Sequence, residues 1–321
     1  MNYSHLTTEE RYTIEKLNSR GESIQGIAEA LERAPSTISR ELRRNGNPRS
    51  YHAQQARKRA KARRKNSSNN ARITSATKCY IRSQLKLLWS PEQIAGTLRL
   101  RKKGLRLQLI SARWIYSFIR LDKKSGGNLY TYLRCQKKRR KRYGTGLSKR
   151  GTIPGRIDIS KRPAAANKRS RFGDWEGDLI MGIGHHQAIV SLVDRKTRYT
   201  LLRKIPTKQA KITQRAIVTM LKKLPRKSRT LTLDNGKEFA RHRAIAKALN
   251  IDVFFARPYA SYERGTNENT NGLVRQRFPR QKSFATITQI DLNRFQKLLN
   301  HRPRKSLNFL TPHEMLIRSI K

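Results

Sequence analysis

From about residue 172 onward, short apolar runs alternate with amphipathic stretches, and their order limits the folds that the chain can adopt. The runs WEGDLIMG, QAIVSLVD and RYTLLRKI follow one another at the spacing of hairpins. Next come a helical pattern, the run RTLTLD, a second helical pattern, the run IDVFFA and a closing helical pattern. Short apolar runs bounded by turn residues are typical of strands, and apolar residues three and four apart indicate helices. The second half of the chain is therefore predicted to be an α/β domain.

Three strands followed by helix, strand, helix, strand and helix are the element order of a ribonuclease-H-like fold. We therefore predict one such domain over residues 172–321, in which the last helices form a C-terminal tail. A chain of 321 residues has room for further domains before it, each with a core of its own.

Residues 1–48 are predicted to form an all-α helix-turn-helix domain. The segment LTTEERYTIEKLNSRGES has Thr7 and Glu10 at the spacing of a capping box, and APSTISRELRRNG carries Ile38 and Leu42 on one apolar face. A recognition helix uses its other face to contact phosphates and base edges of DNA. The residues predicted for these contacts are Ser36, Thr37, Ser39, Arg40, Arg43 and Arg44. An ordinary three-helix bundle is the alternative.

The charge of the chain is strongly positive, because 73 Lys and Arg residues against 21 Asp and Glu residues give a formal net charge of +52. Acids are scarce in the middle third, where only Glu92, Asp122 and Asp158 lie between Glu41 and Asp174. A surplus of this size favours a nucleic acid as partner. An unusually basic solvated surface and a ribosome-associated protein are the alternatives.

Residues 73–133 are predicted to form a second helical domain with a helix-turn-helix-like pattern. The segment WSPEQIAGTL has Ser90 and Gln93 at capping-box spacing, and ISARWIYSFI predicts a helix capped by Ser111. Arg113, near the start of that helix, is predicted to face a DNA groove.

Two basic segments connect these domains. Residues 49–72 are predicted to be a basic helix and a polar linker that neutralise phosphates independently of sequence, although a plain solvated helix is the alternative. Residues 134–171 are predicted to be a flexible basic connector. Its part RCQKKRRKRYGTGLSKRGTIPGR has no acid and is expected to be disordered until it meets DNA.

The cysteines and histidines exclude several classes of protein. Cys79 and Cys135 are too few for a disulfide framework or a Cys-rich zinc site, and the seven histidines show no metal-ligand spacing with them. The chain has neither a signal-peptide pattern nor an apolar run long enough for a membrane span. We therefore expect a soluble protein in a reducing compartment, with no membrane partner.

Three acids lie where a ribonuclease-H-like domain can bring carboxylates together. Asp178 is in the first strand, Asp234 ends the fourth strand, and Glu268 opens the helix after the fifth strand. The DNG turn lets Asp234 point out of the sheet, with Gly236 predicted to supply an unusual backbone angle. Order and spacing make these three acids the candidate catalytic carboxylates.

Other interpretations of the acids remain open at this stage. Asp174, Glu176 and Asp178 alternate onto one strand face, so the sequence alone does not choose among them. Asp194 is a further candidate or the end of its strand in the turn DRKTR. Asp234 is also compatible with a simple turn.

The helix after the fifth strand carries a mixed polar face. At 3.6 residues per turn, Glu268, Asn271, Gly272 and Arg275 lie on one side of it. This face combines a candidate metal ligand, a polar orienting side chain, a position where backbone can approach closely and a cation. Asn271 and Arg275 are predicted to contact DNA. Glu268 could instead be a surface acid paired with Arg264 or Arg275.

Six segments resemble the IS30 family of insertion-sequence transposases, within the wider group of DDE transposases and retroviral-type integrases. They are ERGTNENTNGLVRQRFP, DWEGDLIMG, LTLDNGKEF, ISKRPAAANKRSRFGDWEGD, WSPEQIAG and LNHRPRKSLNFLTPHEM. The resemblance covers most of the chain and implies that Asp178, Asp234 and Glu268 are the catalytic metal ligands, with Arg275 at a basic position. Asp174 departs from the family pattern, in which GHWEGD is more usual.

The resemblance also implies a function, a cofactor and partners. The function is that of a DNA transposase that binds the terminal inverted repeats of its insertion sequence, cleaves DNA and transfers strands, with two Mg²⁺ ions at the three carboxylates and Mn²⁺ as a substitute. The implied partners are double-stranded DNA, as repeats and as target, and further copies of the chain in a homo-oligomer at the nucleoid of a bacterial cytoplasm. A non-catalytic DNA-binding regulator and a plain metal-dependent nuclease are the alternatives.

Overall fold

The structure, a computed structural model, describes residues 5–45, 50–67, 73–101, 107–134, 153–184, 187–257 and 261–320. Two compact units make up the chain, Met1–Thr74 and Ser75–Lys321. In the described residues, no helix is both long enough and apolar enough to cross a membrane.

The described residues of the first unit form four helices. They are α1 (Thr8–Ser19), α2 (Ile24–Ala30), α3 (Pro35–Arg44) and α4 (Ala53–Ser67). The predicted capping box is confirmed, since Thr7 Oγ1 accepts the Glu10 N–H at 3.1 Å and Glu10 Oε2 accepts the Thr7 N–H at 2.5 Å. Ile14, Ile27 and Ile38 are fully buried in one apolar cluster. The helix-turn-helix therefore has a core of its own.

Helix α4 packs onto the other helices of the first unit. Ala53 and Ala56 at its start are buried in the same apolar cluster, and Glu15 of α1 accepts the Ala53 N–H at 3.1 Å. The basic helix predicted within residues 49–72 is present, and its first turn contributes to the core. The polar linker predicted after it, residues 68–72, lies outside the described residues.

A group of helices begins the second unit. They are α5 (Ser75–Lys86), α6 (Pro91–Leu100) and α7 (Ala112–Lys124), followed by a 3₁₀ turn over Leu129–Tyr132. Both predicted N-caps are confirmed, because Ser90 and Gln93 form a capping box and Ser111 Oγ accepts the Trp114 N–H at 3.2 Å. The buried residues of their shared core are Ile81, Leu85, Ile94, Leu98, Ile115, Ile119 and Leu129.

The described part of the second unit also contains a mixed sheet of six strands. They are β1 (Ile157–Asp158), β2 (Asp174–Met181), β3 (Ala188–Asp194), β4 (Thr200–Ile205), β5 (Thr230–Leu233) and β6 (Asp252–Phe255). Their order across the sheet is β1-β6-β5-β2-β3-β4. Strands β2, β3 and β4 are antiparallel neighbours, whereas β2, β5, β6 and β1 pair in parallel. The predicted order of strands from residue 172 onward is confirmed.

Helices cover both faces of this sheet. They are α8 (Ala164–Asn167), α9 (Ala210–Lys222), α10 (His242–Leu249), α11 (Gly265–Arg277), α12 (Gln289–Asn300) and α13 (Pro312–Ile320). Val190 of β3 shares one apolar cluster with Ile217 of α9, whereas its neighbour Ile189 shares another with Leu273 of α11. Strand β3 is buried along its whole length, because helices lie on both sides of it.

The sequence does not predict β1, which lies inside the segment expected to be a flexible connector. Ile157 of β1 pairs in parallel with Phe254 of β6, and Ile153 and Ile159 on either side are buried. A two-residue strand is too short to show a periodic pattern, and its partner lies almost a hundred residues away. Residues 153–171 therefore belong to the α/β fold and not to a flexible connector. Residues 135–152, the rest of that segment, lie outside the described residues.

The segment that follows α7 contacts α11 within the same compact unit. Asn269 of α11 accepts a hydrogen bond from Arg134 Nη1 at 2.9 Å. Gln276, two turns further along α11, donates to the carbonyl oxygen of Tyr132 at 3.0 Å. The division into separate domains at 73–133 and 172–321 stays a prediction, but from these contacts we expect the segment that follows α7 to stabilise α11.

We predict that Gly96→Ala destabilises the second unit. A Cβ at Gly96 of α6 would overlap the ring of Phe309, which lies in the segment between α12 and α13. Such overpacking costs about 1–3 kcal/mol, or a fall in Tm of roughly 3–10 °C, measured by thermal unfolding followed by circular dichroism.

Gly26→Ala in α2 is the matched control, because the nearest atom to a Cβ there is Glu22 Oε2, at 3.2 Å and at the end of a flexible side chain. Alanine in a helix interior is about 1 kcal/mol more favourable than glycine, so this control should not lower Tm. An unchanged Tm for Gly96→Ala would contradict the close packing of α6 on Phe309.

Candidate active site

Strand β2 directs three acidic side chains to one face of the sheet, at Asp174, Glu176 and Asp178. The structure distinguishes them by burial, because the first two are fully buried and Asp178 keeps a quarter of its side chain exposed. Asp174 accepts hydrogen bonds from Arg171 Nε at 3.1 Å and from Thr230 Oγ1 at 2.8 Å. These bonds give Asp174 a structural role in joining β2 to β5.

Glu176 fastens β2 to two other parts of the domain. It forms a buried ion pair with Arg195, and its Oε2 accepts the N–H of Asn267, in the first turn of α11, at 2.9 Å. Arg195 in turn donates to the carbonyl oxygen of Ala166 in α8 at 2.9 Å. Breaking a buried ion pair of this kind costs about 3–5 kcal/mol. Glu176 thus fixes the start of α11.

Asp194, the further candidate, ends β3 in a turn. Its Oδ1 accepts both the N–H and the hydroxyl of Thr197 at 2.7 Å, and its Oδ2 accepts the Gly173 N–H at 2.9 Å. Burial raises the pKa of Asp194 to about 6, although these hydrogen bonds oppose the shift. Both of its oxygens are used locally, so Asp194 is a turn residue.

Asp178 is held in one orientation by side chains from two other elements. Its Oδ2 accepts a hydrogen bond from Asn271 Nδ2 of α11 at 2.7 Å. Asn271 Oδ1 accepts in turn from Ser191 Oγ of β3 at 2.9 Å. The other Asp178 oxygen accepts the N–H of Leu179 at 2.9 Å. Asn271 therefore acts as the polar orienting side chain expected on this helix face; its predicted contact with DNA stays a prediction.

Asp234 reaches the same edge of the sheet through the pairing of β5 with β2. The two strands are parallel, and Glu176 lies opposite Thr232. Asp178 and Asp234 each follow two residues later, so both side chains leave the sheet at neighbouring positions on one face. Asp234 then accepts the Gly236 N–H at 3.2 Å in its turn.

Gly236 has an ordinary extended backbone with φ −72°, so the unusual angle predicted for it is not present. The glycine nevertheless has a close side-chain neighbour. A Cβ at Gly236 would lie within 2.5–2.7 Å of the carboxyl group of Glu238, which folds back over the turn. The close approach involves a side chain that the local turn pattern does not reveal.

Arg264 lies between the two aspartates. Its Nη1 is 3.8 Å from Asp178 Oδ1, and its Nη2 is 3.6 Å from Asp234 Oδ2. The same Nη1 donates to the carbonyl oxygen of Gly177 at 3.0 Å. The sequence suggests Arg264 only as a partner of Glu268, and nothing in its local pattern indicates that it joins two strand ends.

The charges around Asp178 act in opposite directions on its pKa. Burial raises the pKa of Asp178 to about 6, and Arg264 lowers it. The carboxylates of Asp234 and Glu238 raise it further. Adjacent carboxylates disfavour a second negative charge, so a cation between them is stabilising.

Glu268 stands apart from the aspartates. It lies in the first turn of α11 with an exposed side chain, and Arg264 turns to Asp178 and Asp234 instead of pairing with it. Within the residues that the structure describes, no group of three His, Cys, Asp or Glu side chains is arranged to hold a metal ion. The structure thus brings two of the three predicted carboxylates together.

The rest of the predicted polar face of α11 has other neighbours. Arg275 is half-buried over the ring of Phe284, with 5.9 Å from its guanidinium carbon to the ring centre, and burial lowers the pKa of Arg275. Gly272, expected to allow close approach of backbone, faces Arg134 instead, since a Cβ there would overlap the guanidinium. This glycine makes room for a side chain of the segment that follows α7.

Asp178 and Asp234 suit a hard divalent cation. Carboxylate oxygens are the ligands that such ions prefer, and both side chains are about a quarter to a third exposed. The guanidinium of Arg264 already supplies a positive charge there, because it lies within 4 Å of an oxygen of each aspartate. The sequence does not predict Glu238 as a neighbour of Asp234. The two residues line one cavity of about 570 Å³.

The first unit exposes the predicted recognition surface. Of the six residues predicted on α3, five are exposed and Thr37 is half-buried. Arg11 of α1 forms a buried ion pair with Glu41 at 2.7 Å, which fixes α3. The exposed Arg40 of α3 and Arg63 of α4 line one concavity of about 250 Å³. In the second unit, Arg113 is exposed near the start of α7.

Two family models match the chain in agreement with this architecture. A helix-turn-helix domain matches residues 2–45, and an integrase core domain matches residues 169–261. The solved catalytic core domain of BIV integrase is similar at a TM-score of 0.36 and 20% identity, over 46% of this chain and 95% of that chain. A helix-turn-helix unit joined to an integrase core defines an enzyme of the DNA transposase and integrase class, which depends on divalent metal ions.

Relatives define the family more closely. The transposase for insertion sequence element IS4351 of Bacteroides fragilis is 41% identical over 97% of this chain and 94% of the relative. The transposase InsI for insertion sequence element IS30C of Escherichia coli K12 is 37% identical over 99% of this chain and 84% of the relative. The chain belongs to the IS30 family of insertion-sequence transposases, as the sequence motifs implied.

We predict that Asn271→Ala lowers strand joining about 10- to 100-fold while binding of DNA ends is unchanged. Loss of a side chain that orients a metal-binding carboxylate has an effect of this size. The measurement pairs a joining assay with a gel shift at the same salt concentration. Asn269→Ala is the control, because Asn269 lies on the same helix but bonds to Arg134. A parallel loss of binding by Asn271→Ala would indicate a DNA contact instead.

Proposed function

We propose that the chain binds the terminal inverted repeats of its insertion sequence, cleaves the DNA there and joins the ends to a target. The observation that carries this proposal is the pair Asp178 and Asp234, which leave parallel neighbouring strands of an integrase-type sheet at one edge. A separate helix-turn-helix unit with an exposed basic recognition helix supports recognition of defined DNA ends.

Asp178, Asp234 and Glu268 are the residues that would hold the divalent ions. We propose two Mg²⁺ ions, with Mn²⁺ as a substitute; when bound, they would supply Lewis-acid stabilisation of the attacking and leaving oxygens of a phosphodiester. Asn271 and Ser191 keep Asp178 in one orientation during the reaction. Glu268 lies on the first turn of α11 and would have to approach the aspartates when DNA and metal are present.

The remaining basic residues would bind DNA. Arg275 lies two turns beyond Glu268 on α11 and would contact a phosphate near the reacting bond. Arg113 would enter a groove from α7, and the exposed residues of α3 would read the repeats. Because an insertion sequence has two ends, we propose that a homo-oligomer holds both on the DNA of the bacterial nucleoid.

We predict that Asp178→Asn, Asp234→Asn and Glu268→Gln each abolish cleavage and joining, while binding of the repeats persists. An amide keeps the shape of the side chain but loses the charge that binds a divalent ion. The measurement is strand transfer with pre-cut ends in Mg²⁺, together with gel shifts. Asp252→Asn is the control, because Asp252 is an exposed acid of the same domain at the start of β6.

The outcomes separate the alternatives. Near-normal joining by any one of the three variants would remove that residue from the metal site. Binding without cleavage by the unaltered protein would favour the DNA-binding regulator, and cleavage without joining would favour the plain nuclease. Asp174→Asn is not a neutral control, because Asp174 is buried between Arg171 and Thr230.

A fragment of residues 1–74 is predicted to fold alone and to bind the terminal repeats, because its helices share one apolar core. Arg40→Ala should weaken the free energy of binding to the repeats by about 1–3 kcal/mol and reduce discrimination between bases. Arg57→Ala, an exposed change on α4, should weaken binding to repeat and scrambled duplexes equally. Competition gel shifts at matched salt measure both effects. Equal loss of discrimination in the two variants would exclude α3 as the recognition helix.

A further inference from the structure

Arg264 differs from Arg162, a buried arginine of the same domain, in the distances to its side-chain partners. Arg162 donates to Asn167 Oδ1 at 2.8 Å and 2.6 Å, as expected of an arginine that holds a fold together. The guanidinium of Arg264 lies 3.6 Å and 3.8 Å from its carboxylate partners, beyond hydrogen-bond distance. Charge alone therefore associates Arg264 with the two aspartates.

The position of Arg264 is also fixed independently of those aspartates. Its Nη1 donates to the Gly177 carbonyl oxygen at 3.0 Å, and only 12% of its side chain is exposed. Its Nε is buried and has no hydrogen-bond partner among the described residues. One backbone bond thus holds the guanidinium at the site, while the buried Nε has no acceptor in the part of the chain that the structure describes.

The location matters because two carboxylates and one cation share it. Asp178 and Asp234 would repel each other if both were charged with nothing between them. The guanidinium supplies one positive charge within 4 Å of both. A divalent ion shared by the same two aspartates would have to lie in the same region, and it would be repelled by a guanidinium that stayed there.

We propose that Arg264 is a built-in counter-ion that occupies the cation position between Asp178 and Asp234 until a divalent metal ion replaces it. This inference rests on the proposed function, in which these aspartates are metal ligands. Arg264 is a positioning residue: its positive charge offsets the repulsion between the two carboxylates and holds them at the site in the metal-free protein. Metal binding requires Arg264 to move away from the aspartates, and the free-energy cost of this movement lowers the affinity for the metal ion.

The test measures Mn²⁺ binding to the full chain by isothermal titration calorimetry after removal of metals with a chelator. Arg264→Gln should bind Mn²⁺ at least about tenfold more tightly than the unaltered protein, because the competing charge is gone. Arg264→Lys keeps the charge and should bind as the unaltered protein does. Thermal unfolding should show a lower Tm for metal-free Arg264→Gln and a larger rise in Tm on adding Mn²⁺.

Arg257→Gln is the matched control, because Arg257 also lies between two carboxylates, 3.8 Å from Asp158 and 3.9 Å from Glu263. Its Mn²⁺ affinity should not change. Equal or weaker binding by Arg264→Gln, or tighter binding by Arg264→Lys, would overturn the inference. Failure of the proposed function itself gives a different result. In that case Mn²⁺ binding by the unaltered protein is absent, or it is the same in Asp178→Asn.

Discussion

The parallel pairing of β2 with β5 is the constraint on which the site depends. It places Glu176 opposite Thr232, so that Asp178 and Asp234 leave the sheet side by side although they are far apart in the sequence. A shift of this register by one residue would turn one of the two side chains to the opposite face. Arg264 is associated with both aspartates only because the strands end at the same edge.

Helix α11 is the second part of the molecule that this sheet positions. Glu176 accepts the backbone N–H of Asn267 at the start of the helix, and Asn271 bonds to Asp178 one turn later. On another side of the helix, Arg134 and Gln276 join it to the region that follows α7. A helix predicted to carry Glu268 and a phosphate contact is thus held both by the strand with Asp178 and by the segment that follows α7.

Much of the architecture could be predicted because it depends on residues close in sequence. The capping boxes at Thr7 and Ser90 involve positions three apart, and the strands from β2 to β6 follow from local apolar runs. The structural predictions were wrong or incomplete where a residue packs against a segment that is distant in the sequence. Strand β1 exists through its pairing with β6, and Gly272 lies against the guanidinium of the distant Arg134.

The sequence by itself determined the types and order of the elements, the basic recognition helix and the three candidate acids, through local periodicity and family motifs. Only the tertiary structure decided that Asp174 and Glu176 are buried in bonds within the fold, and that Arg264 lies beside Asp178 and Asp234. The physical reason is burial: Asp174 and Glu176 share a strand face with Asp178, and they differ from it through side chains contributed by other elements. Alternation along a strand fixes the face of a residue, whereas packing between distant segments fixes its neighbours and its charge.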